Sequence, residues 1–426
     1  MDVSKNGVQE DRFVSDSGDV TRLTGPWRHA AFRWLVLGRT IDSIGNSVAP
    51  VALAFAVLDL SDSNVALGLV VASRTLANVL FALFGGVLAD RFPRRLVIVG
   101  SAWAAAATQG LVAALVLTGS ARIWSLAVVG AVNGAVSAIA FPASQSLVPQ
   151  TVPAEEIRKA NALLRVGLNL TRLLGVAVGA QLVAFVGPGW GIVVDALSFA
   201  LSAIAFSRVR IRPGSRAESS TIVADLRDGW SEFVRRRWVW VIVAQFAVVN
   251  AVSSGVRGVL APAVADETFG RHAYGWILTL FTVGLVIGSV IAVKLQPRRA
   301  LLFGTSMILL TALPPLSLAM FAQAVPVAVA FFVSALASDQ FAVAWDVSLQ
   351  ESVPADKLAR VYSYDYLGSL IAIPLGQVAV GPLAELFGTR ATLLGCAAAI
   401  VIPTLLAMAD PSVRTLKRLT TSDTRR

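Results

Sequence analysis

Cysteine, histidine and charged residues are scarce in this sequence, and each shortage excludes a class of protein. One cysteine, Cys396, among 426 residues excludes an internal disulfide and a zinc site built from several cysteines. The two histidines, His29 and His272, lie outside the apolar runs, which argues against zinc or haem ligation. No Gly-x-x-x-x-Gly-Lys-Ser/Thr motif occurs, and no serine has a nucleophile-elbow context. We therefore expect no cofactor, no metal, no ATP-driven step and no enzymatic activity.

Charged residues make up only 15% of the chain, whereas 56% of its residues are hydrophobic. A soluble domain carries about a quarter of charged residues, so this composition indicates a polytopic membrane protein. Twelve apolar runs reach the roughly 20 residues that a helix needs to cross a bilayer. The expected fold is an all-α membrane protein with twelve transmembrane helices. The basic residues that give the chain its net charge of +10 lie between the apolar runs. This placement predicts a protein in contact with the lipid bilayer and not with nucleic acid.

The positions of lysine and arginine predict the orientation of the chain. With the N-terminus inside, 28 of the 36 basic residues fall in the tails and in the connections that follow even-numbered helices. Three basic residues fall on the opposite side. Because basic residues collect on the cytoplasmic face, both termini are expected in the cytoplasm. Residues 1–29 are polar and lack the apolar segment of a signal peptide.

The sequence also repeats itself. Residues 152–157 (VPAEEI) return as 353–358 (VPADKL), an offset of 201 that also pairs Gly175 with Gly376 and Gly187 with Gly388. Residues 93–95 (PRR) recur at 297–299, an offset of 204. Two related six-helix halves are typical of transporters built from parallel repeats.

The repeat divides the chain into five parts. The prediction is a cytoplasmic N-terminal tail (1–29), an N-terminal six-helix bundle (30–209), a cytoplasmic linker (210–237), a C-terminal six-helix bundle (238–410) and a cytoplasmic C-terminal tail (411–426). Within the linker, Ile222, Leu226, Trp230 and Phe233 recur at helical spacing among charged residues. This pattern predicts an amphipathic helix on the membrane surface.

Ionisable residues inside the apolar runs are functional candidates, since each costs about 2.5–3.5 kcal/mol on insertion scales. Arg39, Asp42 and Asn46 share one face of the first helix. Either this face lines a central cavity, or Arg39 and Asp42 neutralise each other as a structural pair. Arg172 on the fifth helix needs an anionic partner from another helix or from a substrate. The candidate substrate-cavity residues are Arg39, Asn46, Asn133, Asn169, Arg172 and Asn250.

Three carboxylates distinguish the second half. Asp339 and Asp346 lie on one face of the tenth helix, and Asp365 begins the eleventh. A desolvated carboxyl can carry a proton, and we take Asp339 and Asp42 as the proton-coupling candidates. Asp346, Asp365 and Arg360 are expected to form a cytoplasmic gate, although a proton-carrying role for the two carboxylates stays open. Asp195 and Arg257 are expected to brace the outer ends of their helices.

The turn between the second and third apolar runs carries a family signature. Gly86, Asp90, Arg91, Arg94 and Arg95 resemble the loop 2–3 motif of the major facilitator superfamily of secondary transporters, with Pro93 where that motif usually has glycine. Motifs at 37–39, 43–45, 146–149, 160–163, 195–199 and 274–276 extend the resemblance to the bacterial branch of macrolide-efflux and siderophore-exporter proteins. The resemblance implies that the five motif residues act as a cytoplasmic gating motif in a bacterial inner-membrane protein.

The resemblance implies proton-coupled efflux of an amphipathic small molecule, such as a drug, macrolide or siderophore, through alternating access by a monomer. Two departures from proton-coupled drug antiporters stand out: Gly130 occupies the position of a fourth-helix arginine, and Gly175-Val176 replaces a Gly-Pro pair. One alternative is a carrier of an anionic metabolite that uses Arg172 and Arg39. Another is a non-transporting receptor or scaffold, because the second-half loop at 293–296 lacks the motif's aspartate.

Overall fold

The computed structural model describes residues 25–209 and 231–416, apart from positions 92, 146, 232, 296, 355, 356, 358–360, 363, 366, 367 and 370. Most of the linker for which we predicted an amphipathic helix lies outside these residues. Across the described ranges the regular structure is helical. The membrane helices are α1 (Ala30–Leu58), α2 (Asn64–Arg91), α3 (Arg94–Leu117), α4 (Ile123–Gln145), α5 (Ile157–Val186), α6 (Pro188–Ser207), α7 (Arg237–Glu267), α8 (Arg271–Lys294), α9 (Ala300–Met320), α10 (Ala324–Ser352), α11 (Ala372–Phe387) and α12 (Thr389–Ala409).

Eleven of these described helices are long and apolar enough to cross a membrane, and α11 is a shorter apolar helix. Their packing repeats between the halves: α1 contacts α5 and α6 as α7 contacts α11 and α12, and α2 contacts α4 as α8 contacts α10. The predicted fold class, twelve helices in two related halves, is confirmed.

Two glycines show the repeat in the backbone itself. Gly187 ends α5 with φ 90°, and Gly388 ends α11 with φ 84°. Side chains disfavour this left-handed region, whereas glycine enters it without a steric penalty. The two glycines therefore make the same turn into α6 and α12, at the repeat offset of 201 residues.

Proline explains two irregular turns inside the membrane helices. Within α7, Val256–Leu260 forms a π-helical turn just before Pro262. Within α9, Ile308–Ala312 forms a 3-10 turn just before Pro314. Because proline lacks an N–H group and its ring meets the carbonyl one turn earlier, the helix must change its hydrogen-bond pattern there.

The two halves meet where α2 crosses α11 and where α5 crosses α8. Glycine allows the backbones to touch at the first crossing. A Cβ atom on Gly68 would lie 2.5 Å from the carbonyl oxygen of Gln377, and one on Gly381 would lie 2.6 Å from that of Asn64. Small residues at such a crossing are typical of close helix packing in membranes.

The hydrophobic core distinguishes the two ends of the bundle. We name the end where α1 begins at Ala30 the tail end, and the end where α1 finishes at Leu58 the far end. At the far end, one continuous core contains residues of both halves, among them Phe55, Leu67, Leu260, Tyr274 and Val380. At the tail end each half has a core of its own, around Phe32, Leu35, Leu164 and Phe206 in the first and Trp238, Leu301, Phe341 and Trp345 in the second. Among the described residues, the hydrophobic cores of the halves are therefore joined at the far end and separate at the tail end.

Candidate functional site

A cavity of about 810 Å³ lies between the halves. Its wall includes Arg39, Asp42, Asn46, Asn78, Ser137, Arg172, Phe199 and Phe206 from the first half and Arg257, Tyr274, Phe281 and Thr282 from the second. Towards the tail end it reaches Ser144 and Phe206, each next to the last residue of its helix. The cavity thus extends to the tail end, on the side where the two cores are separate.

Ion pairs and a hydrogen bond close the far end. Arg271 at the start of α8 binds Asp59 after α1 (Nη2 to Oδ1, 2.6 Å) and Asp266 in α7 (Nε to Oδ1, 2.5 Å). Its guanidinium also lies 4.8 Å from the ring centre of Phe55. Ser63 before α2 donates a hydrogen bond to Glu385 Oε1 of α11 at 2.8 Å. The contacts of Arg271 with Asp59 and Phe55, and of Ser63 with Glu385, connect the first half to the second, so the far end is shut while the cavity reaches the tail end.

A polar network lies in the first half, beside and behind the cavity wall. Arg74 of α2 donates from Nη2 to Asn46 Oδ1 at 3.1 Å, and Asn46 Nδ2 donates to the carbonyl of Asp42 at 3.0 Å. Behind them, Gln109 Nε2 of α3 donates to Asp195 Oδ2 of α6 at 2.6 Å. Asp195 is fully buried. The network therefore joins α1 to α2 and α3 to α6, and it places one carboxylate, Asp42, in the cavity wall.

Arg257 lies in the cavity wall, although the sequence predicted a bracing role at the outer end of its helix. The π-helical turn Val256–Leu260 presents it to the cavity, with its guanidinium 5.0 Å from the ring centre of Phe281. Tyr274 donates its hydroxyl to the carbonyl oxygen of Arg257 at 2.9 Å. The signal that could have identified it is Pro262, five residues later, because a proline inside a helix displaces the preceding turn.

Of the charged residues that the structure describes, three arginines, Arg39, Arg172 and Arg257, line the cavity together with one aspartate, Asp42. Arg39 and Asp42 lie three residues apart on α1, and both line the cavity. Within the part of the chain that the structure describes, no carboxylate lies within the 4.0 Å of an ion pair from any of the three. The described part of the cavity wall is therefore net positive.

The structure brings some of the predicted cavity residues together and separates others. Arg39, Asn46 and Arg172 line the cavity. Asn133 does not belong to this lining: the residue is 1% exposed, and its side chain donates to Thr108 Oγ1 at 2.9 Å, between α4 and α3. Asn250 lines a smaller cavity of about 190 Å³ inside the second half, which shares Arg257 and Phe281 with the main one. The side chain of Asn169 lies outside the described residues.

The second-half carboxylates lie away from the main cavity lining. Asp339 accepts a hydrogen bond from Ser289 of α8 at 2.5 Å. Asp346 accepts from the hydroxyl of Tyr362 at 3.2 Å, and Asp365 accepts from Trp345 Nε1 at 3.0 Å. The proton-coupling role of Asp339 and the gate role of Asp346 and Asp365 stay predictions. Arg360 lies outside the described residues.

The loop 2–3 motif is described in part. Gly86, Asp90 and Arg91 fall in the last turns of α2 and Arg94 begins α3, but their side chains lie outside the described residues. Arg95 donates from Nη2 to the carbonyl of Ser207, the last residue of α6. This contact holds α3 to α6 within the first half, and the gating role of the motif stays a prediction.

Comparisons with known proteins agree with this architecture. The family model described as "Transmembrane secretion effector", a branch of the major facilitator superfamily, matches residues 21–424. The multidrug efflux pump Tap of Mycolicibacterium fortuitum is 24% identical over 392 residues, which cover 87% of this chain and 93% of that pump.

Two solved structures share the fold. The nucleoside transporter NupG superimposes with a TM-score of 0.69 at 14% identity, covering 91% of this chain and 100% of that one. A bacterial homologue of the iron transporter ferroportin, in an inward-facing state, superimposes with a TM-score of 0.69 at 18% identity, covering 89% and 98%. The chain is thus a multi-pass membrane transporter and not an enzyme, and it belongs to the transmembrane secretion effector family of the major facilitator superfamily.

Proposed function

We propose that this protein exports amphipathic small molecules by alternating access, in exchange for protons. The observation that carries the proposal is the cavity between the halves, closed at the far end, with the carboxyl group of Asp42 in its wall. The Tap pump named among the relatives is a multidrug efflux pump, which supports export. Basic residues are in excess in the tails and in the connections on the same side as the tails. This excess supports a cytoplasmic tail end in the bacterial inner membrane, so that the cavity faces the cytoplasm.

The wall of the cavity supports an amphipathic substrate. Phe199, Phe206 and Phe281 offer apolar contact, while Asn46 and Arg172 offer hydrogen bonds. Such a mixture of apolar walls and few polar groups is typical of small-molecule sites. Substrate binds from the cytoplasm, the halves then close at the tail end, and separation of Arg271 from Asp59 opens the far end. A proton bound by Asp42 at the far-open stage is released to the cytoplasm as substrate binds. We take the transporting unit to be a monomer, because both halves that line the cavity belong to one chain.

Transport in reconstituted vesicles tests this function. Ethidium, a fluorescent amphipathic cation, serves as the probe, with a pH gradient imposed across the membrane. We expect ethidium movement to follow the gradient and to collapse when an uncoupler is added. Movement that ignores the gradient and survives the uncoupler contradicts proton coupling, and the absence of any flux supports a receptor or scaffold instead.

A second candidate function is the transport of an organic anion. The specific observation that favours it is the net positive wall formed by Arg39, Arg172 and Arg257 against Asp42. Hydrogen bonds to charged groups are worth about 1.5–3 kcal/mol, so loss of one arginine should weaken anion binding by about tenfold or more. Arg172→Gln should then weaken uptake of carboxyfluorescein, an amphipathic anion, by about tenfold or more and leave ethidium transport unaffected. Equal effects on both probes contradict an anion-specific role.

A further inference from the structure

Asp195 of α6 lies behind the cavity wall, against the backbone of α1. It is fully buried. Gly45 makes the approach possible: a Cβ atom there would lie 2.6 Å from Asp195 Oδ1 and 1.8 Å from Ser198 Oγ. Asp42 lies three residues before Gly45 on the same helix. Along the axis of α1, the carboxyl of Asp195 beside Gly45 and the carboxyl of Asp42 in the cavity wall are therefore less than one helical turn apart.

The two oxygens of Asp195 have different surroundings. Oδ2 accepts the hydrogen bond from Gln109 Nε2 at 2.6 Å. Oδ1 is buried and has no hydrogen-bond partner in the described part of the chain. An ionised oxygen without a donor is costly in an apolar interior, and protonation of the carboxyl removes that charge. The surroundings therefore favour a protonated Asp195 in the conformation with a closed far end.

Three neighbouring helices place polar side chains around Asp195. Helix α1 contributes Asp42, three residues after Arg39, helix α2 contributes Arg74, and helix α3 contributes the uncharged Gln109. Arg74 acts electrostatically on both carboxyls, while its hydrogen bond goes to Asn46. Two carboxyls that share one arginine bind protons as a coupled pair, and loss of a proton from one hinders ionisation of the other.

We propose that Asp195 is a proton-binding site of the transport cycle that exchanges its proton with the cavity through Asp42. The proton leaves the carboxyl of Asp195, the electron pair of the O–H bond stays on that carboxylate, and Arg74 balances the new charge. The Asp42 carboxylate accepts the proton and passes it to water in the cavity. This proposal rests on the proton coupling of the proposed function.

Infrared spectroscopy of the lipid-reconstituted protein tests the protonation directly, without a substrate. Wild type should show, at neutral pH, the C=O band of a protonated carboxyl in apolar surroundings. Asp195→Asn should lack this band, and Ser198→Ala, which changes a neighbour on the same helix face, should keep it. A spectrum of Asp195→Asn that still contains the band overturns the proposal. If Asp195→Asn does not fold, Asp195→Glu replaces it: a shifted band supports the proposal, and an unshifted band overturns it.

Vesicle transport separates this proposal from the proposed function. Ethidium flux is measured with and without a pH gradient for wild type, Asp195→Asn and Ser198→Ala. We expect the gradient to accelerate flux in wild type and Ser198→Ala, and to have no effect on Asp195→Asn. If the gradient accelerates ethidium flux equally in Asp195→Asn and wild type, the role of Asp195 is overturned, but proton coupling is not. If wild type ignores the gradient, proton coupling itself fails, and with it the place of Asp195 in the cycle.

Discussion

The two halves share a backbone plan, but they differ in the chemistry of corresponding positions. At the repeat offsets, three ionisable residues of the first half meet uncharged residues of the second. The pairs are Asp42 and Phe246, Arg74 and Leu278, and Asp195 and Cys396. In the second half, Phe246 stacks on Phe341 with ring centres 4.5 Å apart. The first half thus carries ionisable residues at three positions where the second half has uncharged ones, and this difference is why we propose proton binding in the first half.

The largest expected effect follows from removing the carboxyl group of Asp42 in the first half. Asp42→Asn should abolish the response of transport to a pH gradient, whereas Asp339→Asn should keep it, because Asp339 lies outside the cavity lining and binds Ser289. A gradient of one pH unit corresponds to about 1.36 kcal/mol, so wild type should accumulate a coupled substrate about tenfold per unit. Accumulation is measured in vesicles. Loss of coupling in Asp339→Asn together with retention in Asp42→Asn reverses the assignment.

A pair of corresponding glycines compares the packing of the halves. A Cβ atom on Gly376 of α11 would lie 1.9 Å from the carbonyl oxygen of Ala251, whereas one on Gly175 of α5 would lie 2.8 Å from the side chain of Ser47. Gly376→Ala must therefore displace backbone, and overpacking of this kind costs about 1–3 kcal/mol. Gly175→Ala should cost less. Thermal unfolding of the purified variants measures the difference, with Gly395→Ala, where a Cβ meets nothing within 4 Å, as the control. Equal melting temperatures for all three variants contradict the prediction.

Ion pairs at the two ends of the bundle should respond differently to mutation. Arg271 joins the halves at the far end, whereas Arg237 binds Asp410 within the second half at the tail end (3.0 Å). Arg271→Gln should favour the far-open conformation by about fivefold, since a partly exposed ion pair is worth up to about 1 kcal/mol. Arg237→Gln should not change this equilibrium.

The single native cysteine allows a direct readout of far-end opening. In a Cys396→Ala background, Ala54→Cys places a thiol in the cavity wall close to the closed end. A membrane-impermeant maleimide added from the far side should label this thiol faster in Arg271→Gln than in Arg237→Gln. Equal labelling rates in the two variants contradict a latch at Arg271.

The smallest expected effect concerns pH and the second half at its tail end. Hydrogen bonds from Ser412, together with the contact of Arg237, lower the pKa of Asp410 below its usual range. Because the folded state depresses this pKa, the contribution to stability is present above the ordinary aspartate pKa of about 3.9 and is lost as the pH falls through the lowered value. Asp410→Asn should therefore lower the melting temperature slightly at neutral pH and not at strongly acidic pH. A difference that persists in acid contradicts this origin.

The fold was predictable from the sequence because its signals are strong and can be read directly from the order of residues. Long apolar runs separate the helices, and the offset between the VPAEEI and VPADKL segments relates the halves. The structure confirms the helices and places Arg39, Asp42, Asn46 and Arg172 in one cavity wall.

The rest of the site was not predictable, because an apolar helix does not reveal which of its faces meets a cavity, a neighbouring helix or lipid. Asn133 looked like a cavity residue, yet it faces Thr108 between two helices. Arg257 looked like an outer brace, yet a π-helical turn presents it to the cavity. Asp195 looked equally peripheral. Its burial depends on the close approach of Gly45 on another helix. These two residues are 150 positions apart in the sequence, and the periodicity of a single helix cannot predict such a contact.

The crossing of α2 and α11 has a consequence for the temperature dependence of turnover. Gly68 and Gly381 bring backbone against backbone there, and neither has side-chain rotamers that must change when the halves turn against each other. If the halves rock about this crossing, little of the activation enthalpy arises at the pivot. Most of it should arise where the ion pair between the halves must break, at Arg271 and Asp59. An Arrhenius plot of transport should consequently become shallower when Arg271 is replaced, and keep its slope when residues flanking the pivot are changed.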